Sequence, residues 1–186
     1  MSKLPEITTE RLLLRPWRRA DRPHFAAVNA DLRVVECLPG VLTREESDAF
    51  VDRIEAHFEK NGFGLWCVEA PGVAECLGFI GLSIPQFETH FTPCVEIGWR
   101  LGSQYWGQGY APEGARAAME FGFRTLGLHE IVSFTVPHNT RSRRVMEKIG
   151  MTRDEAGDFE HPRLAPGHPL RSHVLYRCRN PDGKAV

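Results

Sequence analysis

Glu96-Ile-Gly-Trp-Arg-Leu-Gly-Ser-Gln-Tyr-Trp-Gly-Gln-Gly-Tyr-Ala-Pro-Glu-Gly-Ala115 reads as a strand, a glycine turn and a helix start. Val95, Ile97, Trp99 and Leu101 alternate with Glu96, Gly98 and Arg100, the two-residue period of a strand. Gln104 to Gly109 spells Gln-x-x-Gly-x-Gly, a tight turn of small residues. Pro112 and Glu113 suit a helix's first turn, where a missing N–H costs little and a negative charge is favoured. A strand that delivers a glycine turn into a helix N-terminus makes an anion cradle. Its free N–H groups point outward, and glycine lets a phosphate come close.

Three phosphate-loop patterns compete. The P-loop needs Gly-x4-Gly-Lys-Ser/Thr, and no Lys follows these glycines. The dinucleotide fingerprint needs Gly-x-Gly-x-x-Gly, but Gly107-x-Gly109 runs on to Pro112, and Gly114 comes too late. The third is the pyrophosphate loop of GNAT N-acetyltransferases, Gln/Arg-x-x-Gly-x-Gly/Ala, which Gln104, Gly107 and Gly109 resemble with the right elements on either side. The plain alternative is an ordinary strand-to-helix turn.

A second segment, His138-Asn-Thr-Arg-Ser-Arg-Arg-Val-Met-Glu-Lys-Ile-Gly-Met151, opens with cap-type residues and closes on Gly150, a C-cap signal. Val145, Met146 and Ile149 form an apolar stripe between them. It resembles the GNAT pattern through Asn-x-x-Ser and Glu-Lys-x-Gly-Met. Thr9-Glu-Arg-Leu-Leu-Leu-Arg-Pro16 is similar to the first strand of the RimJ/RimL-like group, which acetylates ribosomal protein N-termini. The resemblance runs from about Thr9 to Arg177. It implies an α/β (α+β) GNAT fold: a mixed, mostly antiparallel sheet whose fourth and fifth strands splay to hold the pantetheine arm.

The chain has 186 residues, enough for one domain with a full core, expected over 1–186. Hydrophobic content of 42% and charged content of 25% suit a soluble globular protein. A formal charge of −1 gives no global field to recruit nucleic acid or membrane. Arg141, Arg143, Arg144 and Lys148 form a local basic run that is either a solvated helix face or a seat for coenzyme phosphates. Cys37, Cys67, Cys76, Cys94 and Cys178 are scattered and odd in number, as reduced cysteines are. No apolar run reaches membrane-spanning length and no signal-peptide h-region is evident, so a cytoplasmic protein is expected. No histidine cluster has metal spacing, and none is expected to bind a metal.

Along the chain, strands are expected at Leu12 to Leu14, Leu65 to Glu69, Cys76 to Ile84, Ile131 to Val136, Met151 to Glu155 and Ser172 to Arg179. Asp21 to Asn29 suggest a short helix. Thr43-Arg-Glu-Glu46 has capping-box spacing before a helix with Phe50, Ile54 and Phe58, ending at Asn61-Gly62. From Ala111 to about Thr125 a helix sets Ala111, Ala115, Ala118, Met119 and Gly122 on one face. Asp158 to Arg171, with three prolines and a glycine, read as a long loop.

Acetyl transfer to an amine needs the coenzyme held, the carbonyl polarised, the amine deprotonated and the thiolate stabilised. By the cradle argument the backbone of Gly107, Gln108, Gly109, Tyr110 and Ala111 holds acetyl-CoA. The resemblance implies that Gln104 belongs to the same loop. It also implies that backbone at Trp99, Arg100 and Leu101 pairs with pantetheine and meets the thioester oxygen. Glu96, on the polar face of that strand, is the first candidate base; the alternative is an ion pair with Arg100 or a neighbouring strand. His173 is second, since imidazole titrates near neutrality, with a structural histidine as its alternative. Many GNAT enzymes place a Tyr where Met146 stands, so Ser142 is the hydroxyl that the resemblance offers to the leaving thiolate. Its alternative is a helix-start residue. Asn139 caps that helix and is also placed to bond pantetheine.

The expected activity is acetyl-CoA-dependent N-acetylation of a primary amine, a peptide or protein N-terminus first, by direct attack. Acetylation of a small amine such as a polyamine or aminoglycoside, or a non-catalytic acyl-CoA-binding domain, stand as alternatives. Partners are then acetyl-CoA and the amine acceptor, with neither nucleic acid nor membrane; a homodimer is left open.

Overall fold

Residues 4–181 and 183 are described in the computed structural model. The order is β1 (Ile7–Thr8), β2 (Leu13–Arg15), α1 (Asp21–Ala30), α2 (Leu32–Val35), α3 (Arg44–Asn61), β3 (Leu65–Glu69), β4 (Gly78–Ser83) and β5 (Glu96–Leu101), then α4 (Tyr110–Arg124), β6 (Glu130–Thr135), α5 (Thr140–Lys148), β7 (Thr152–Glu160) and β8 (Ser172–Arg179). A single 3₁₀ turn, Ser103–Tyr105, links β5 to α4. The strands form one sheet in the order β1-β2-β3-β4-β5-β6-β8-β7. Every neighbouring pair is antiparallel except β5 and β6. The two-residue β1 shifts the count, so the family's fourth and fifth strands are β5 and β6 here.

Local chemistry explains the helix ends. Thr43 Oγ1 accepts from the Glu46 N–H while Glu46 Oε2 accepts from the Thr43 N–H, a complete capping box of the kind worth about 1 kcal/mol. Gly62 closes α3 with φ 76°, a left-handed cap that a side chain would strain. Ile54 and Phe58 bury the inner face of α3, with Phe58 edge-on to Trp66.

The two sheet faces have different partners. Phe79 meets Phe25 of α1 and Phe50 of α3, at ring-centroid distances of 5.9 Å each. Its neighbour Ile80 points the other way, onto Gly114 of α4, where a Cβ would lie 2.6 Å from Ile80 Cδ1. That glycine therefore sets how closely α4 lies on the sheet. The buried side of α4 is Gly114, Ala115, Ala118, Met119 and Gly122; Ala111, expected there, is only half-buried.

Three short elements escaped the sequence reading: β1, α2 and the 3₁₀ turn. Each is too short to show a period. The expected loop from Asp158 begins later, at residue 161, because β7 runs on to Glu160. Phe159 pairs with His173 and Glu160 with Ser172 across a register shift after Asp154. The alternation that extends the strand is visible as buried Gly157 and Phe159 between exposed Asp158 and Glu160.

One buried ionic cluster joins β2 to α1. Arg15 is 1% exposed, and its guanidinium grips Asp21 through both carboxylate oxygens at 2.7 and 2.9 Å. It also donates to Glu69 at 2.6 Å and to the Glu75 carbonyl at 2.8 Å. Asp21, Cys67 and Cys76 place metal-ligand atom types within 4.8 Å of one another. Arg15 already supplies the positive charge this carboxylate needs.

Candidate active site

The sheet opens where β5 leaves β6. The two strands pair only at Glu96 and Val132, with the Val132 N–H donating to the Val95 carbonyl at 2.9 Å. Beyond that point they diverge, and Ser133 Oγ donates across the gap to the Ile97 carbonyl at 2.9 Å. The cleft that results holds about 730 Å³.

Strand parity decides which peptide groups face this gap. Gly102 N–H donates to Leu77, so the even residues of β5 direct their peptide groups to β4. Trp99 and Leu101 therefore turn theirs towards the gap, like a strand edge missing its neighbour. The Leu101 carbonyl is taken by Trp106 Nε1 at 2.8 Å. Arg100, expected to offer its backbone to pantetheine, is paired with Phe79 in the ladder instead. Arg100 lines the cleft, and its guanidinium reaches across to Asn29, Phe50 and Phe79.

Below the gap lies the N-terminus of α4. Gly107 and Gly109 have φ 77° and 84°, and Gly109 is the N-cap residue. No side chain caps this helix, which leaves its first-turn N–H groups open. Gly107, Gly109, Tyr110 and Ala111 line the cleft; Gln104 and Gln108 do not. Gln108 Nε2 instead donates to the Gln104 carbonyl at 3.1 Å, bracing the loop from behind.

The loop is also held by the N-terminal segment. Arg11 donates to the Gln108 carbonyl at 2.9 Å and to Glu113 at 2.7 Å, and Thr9 Oγ1 donates to Glu113 at 2.6 Å. Burial alone would raise the Glu113 carboxyl, but the bonds from Thr9 and Arg11 outweigh it and hold it below its ordinary range. This clamp went unseen in the sequence because its halves lie about a hundred residues apart.

Glu96 stands at the top of the gap on the α1–α3 side. It makes no side-chain hydrogen bond or ion pair among the described residues, so the expected alternative of a pair with Arg100 is not formed. Desolvation on the cleft wall pushes its carboxyl up to about 8. Ser142 and Asn139 line the opposite side. Asn139 Oδ1 accepts from the Ser142 N–H at 3.2 Å, the expected cap of α5. Met146 is buried, as an apolar residue in the stripe should be.

His173 is not brought to this group. It packs behind Phe134, with ring centroids 6.1 Å apart, and against Phe159 and His161. Burial holds its imidazole below the usual value. His57, which the sequence reading passed over, does line the cleft. Its Nδ1 lies 2.9 Å from the Phe63 carbonyl and its Nε2 accepts from the Ile84 N–H at 3.2 Å, which fixes a neutral ring.

Residues 11–152 match the family described as Acetyltransferase (GNAT) domain. The chain belongs to the GNAT acetyltransferase family. It is 34% identical to the uncharacterized N-acetyltransferase YnaD of Bacillus subtilis (strain 168), over 80% of this chain and 83% of that protein. It is 28% identical to the [ribosomal protein uS5]-alanine N-acetyltransferase of Escherichia coli (strain K12), covering 97% of this chain and 95% of the relative. Its fold superposes on a GNAT-family acetyltransferase from Bacillus anthracis with a TM-score of 0.77 and 30% identity, covering 95% and 99% of the two chains.

GNAT acetyltransferases use acetyl-CoA, and the cleft suits its chemistry. Uncapped N–H groups at α4 fit a pyrophosphate. Arg144 and Lys148 of α5 line the same space and form no ion pair among the described residues. Gly109→Val should weaken acetyl-CoA binding at least about tenfold, or ~1.4 kcal/mol, in calorimetry. The new side chain meets a left-handed φ and comes within 3.2 Å of Arg11 Nη2. The site is a surface loop, so the circular dichroism spectrum should be retained. Unchanged affinity would remove this turn from the coenzyme site.

Proposed function

We propose that this enzyme acetylates the free N-terminal amine of a peptide or protein by direct attack on acetyl-CoA, with Glu96 as the base. The unpaired Glu96 carboxyl beside the open edge of β5 carries this reading. An ammonium entering the cleft favours the ionised carboxylate, which then takes the proton in a desolvated site. The neutral nitrogen attacks the thioester carbon. The oxygen gains charge opposite the gap-facing N–H groups of Trp99 or Leu101, which act as an oxyanion hole. As the C–S bond breaks, its electron pair leaves with the sulfur. The second proton of the attacking nitrogen passes to that thiolate to give free CoA thiol, and Ser142 donates a hydrogen bond to the departing sulfur. Cys94 is no competing nucleophile, because burial raises its thiol to about 11.

Charge favours a peptide over a polycation. Glu96 is the one carboxylate on the cleft wall among the described residues, against several arginines and a lysine. A polyamine would need a strongly acidic pocket. The uS5-alanine relative supports a peptide acceptor as well. The test supplies acetyl-CoA with short peptides bearing free or blocked N-termini and with spermidine. Free-amine peptides should be preferred; faster turnover of spermidine, or equal rates with blocked peptides carrying a lysine, would overturn the N-terminal reading.

A further inference from the structure

The acceptor side of the cleft carries two cations, Arg100 and Arg53, that no carboxylate among the described residues answers. Arg100 and Glu96 lie four residues apart on β5 and so share the face turned to α1 and α3. Arg100 Nη1 donates to Asn29 Oδ1 at 2.6 Å, and its guanidinium lies 5.4 Å from the Phe50 ring centroid and 5.7 Å from that of Phe79. Arg53 of α3 sits 5.4 Å from the same Phe50 ring. The two cations thus lie within twice that distance of each other, with neither in an ion pair among the described residues. Both line the cleft. Desolvation without a counter-charge pulls Arg100 down to about 10.

Between Glu96 and Arg100 on this face stands Gly98. A Cβ there would meet only Glu96 Oε1 and Phe79 Cε2, each at 3.9 Å. The floor is therefore open from the carboxyl to the guanidinium, and Glu96 leans along it. The two Cα positions are about 13 Å apart at strand rise, and long side chains shorten that span. A chain of two or three residues fits such a length.

We propose that Arg100 and Arg53 form a carboxylate subsite, and that the acceptor is a peptide N-terminus followed within two residues by Asp or Glu. The amine meets Glu96, the backbone crosses Gly98, and the acidic side chain reaches the arginine pair. This rests on the acetyltransfer reading of Glu96. It adds what lies next to the amine. Guanidinium binds a carboxylate through paired N–H donors; the Phe50 and Phe79 rings beside Arg100 limit competition from water there, and Arg53 adds its charge from the exposed rim.

The test uses C-terminally amidated Ala-Asp-Ala, Ala-Ala-Ala and Ala-Lys-Ala, plus free-acid Ala-Ala. The amidated peptides separate a side-chain carboxylate from a terminal one. Binding to the CoA-loaded protein is measured by calorimetry, and turnover separately with acetyl-CoA. Ala-Asp-Ala amide should bind at least about tenfold more tightly than Ala-Ala-Ala amide, and Ala-Lys-Ala amide more weakly still. Arg53→Glu, an exposed helix position, should abolish or reverse that order while acetyl-CoA affinity stays the same. Equal binding of the three amides, an advantage confined to the free-acid peptide, or an Arg53→Glu protein that keeps the preference would overturn the acidic-peptide subsite. Selective binding without turnover would leave the subsite standing and count against acetyl transfer to peptides.

Discussion

Glu96→Gln should lower kcat/KM for the preferred amine by about 10²- to 10⁴-fold, the range that general-base catalysis supplies. Acetyl-CoA affinity should not change, because the side chain faces the acceptor side and not α4. The sign with pH follows from the chemistry. A base must be unprotonated, and burial raises this carboxyl to about 8, so the wild-type rate should climb as pH rises through that region. A free α-amino group titrates near 7.7–8.0 as well, so one profile cannot assign the limb. Peptides whose N-terminal pKa values differ can. A limb that stays fixed across the series and vanishes in Glu96→Gln belongs to the enzyme. A limb that tracks each peptide's own amine, with a variant as fast as wild type, would remove Glu96 from the base role.

The parts of this enzyme that the sequence makes legible are local. Residues 96–115 carry strand, turn and helix start in one run, so the cradle at Gly107 and Gly109 could be read without any long-range contact. Asn139 and Thr43 cap the helices that follow them, for the same reason. What the sequence hid depends on distant partners. Arg11 is a surface-type residue until the fold sets it against Glu113. Whether Glu96 pairs with Arg100 depends on α1, whose Asn29 takes the guanidinium instead. His173 has the right chemistry, but a strand alone does not say that Phe134 stands in front of it. The backbone of Arg100 looked equivalent to that of Trp99 until the pairing with β4 fixed its direction.

Asp21→Ala should destabilise the fold by about 3–5 kcal/mol, the usual cost of removing one partner from a buried ion pair. Arg15 would keep its charge in a site 1% exposed, with only the partly open Glu69 and carbonyl oxygens to answer it. Domains of this kind have about 5–15 kcal/mol in all, so the variant should unfold early in urea. Replacing both partners, Arg15→Met with Asp21→Leu, should recover much of the loss, since no buried charge is then stranded. Acid should act in the same direction. Burial alone would raise the Asp21 carboxyl, but hydrogen bonds from Arg15 and from the Arg18 N–H hold it below its ordinary 3.8. Its contribution is therefore complete above that value and fades as pH falls through the lower folded one. The consequence reaches the site through α1. Asp21 begins that helix and Asn29, near its end, holds Arg100 against Phe50 and Phe79. Below the urea transition, Asp21→Ala should therefore bind acidic peptides less well than wild type while acetyl-CoA affinity is retained. A variant of wild-type stability would show that water or Glu69 alone satisfies Arg15, and that β2 and α1 are joined by apolar packing instead.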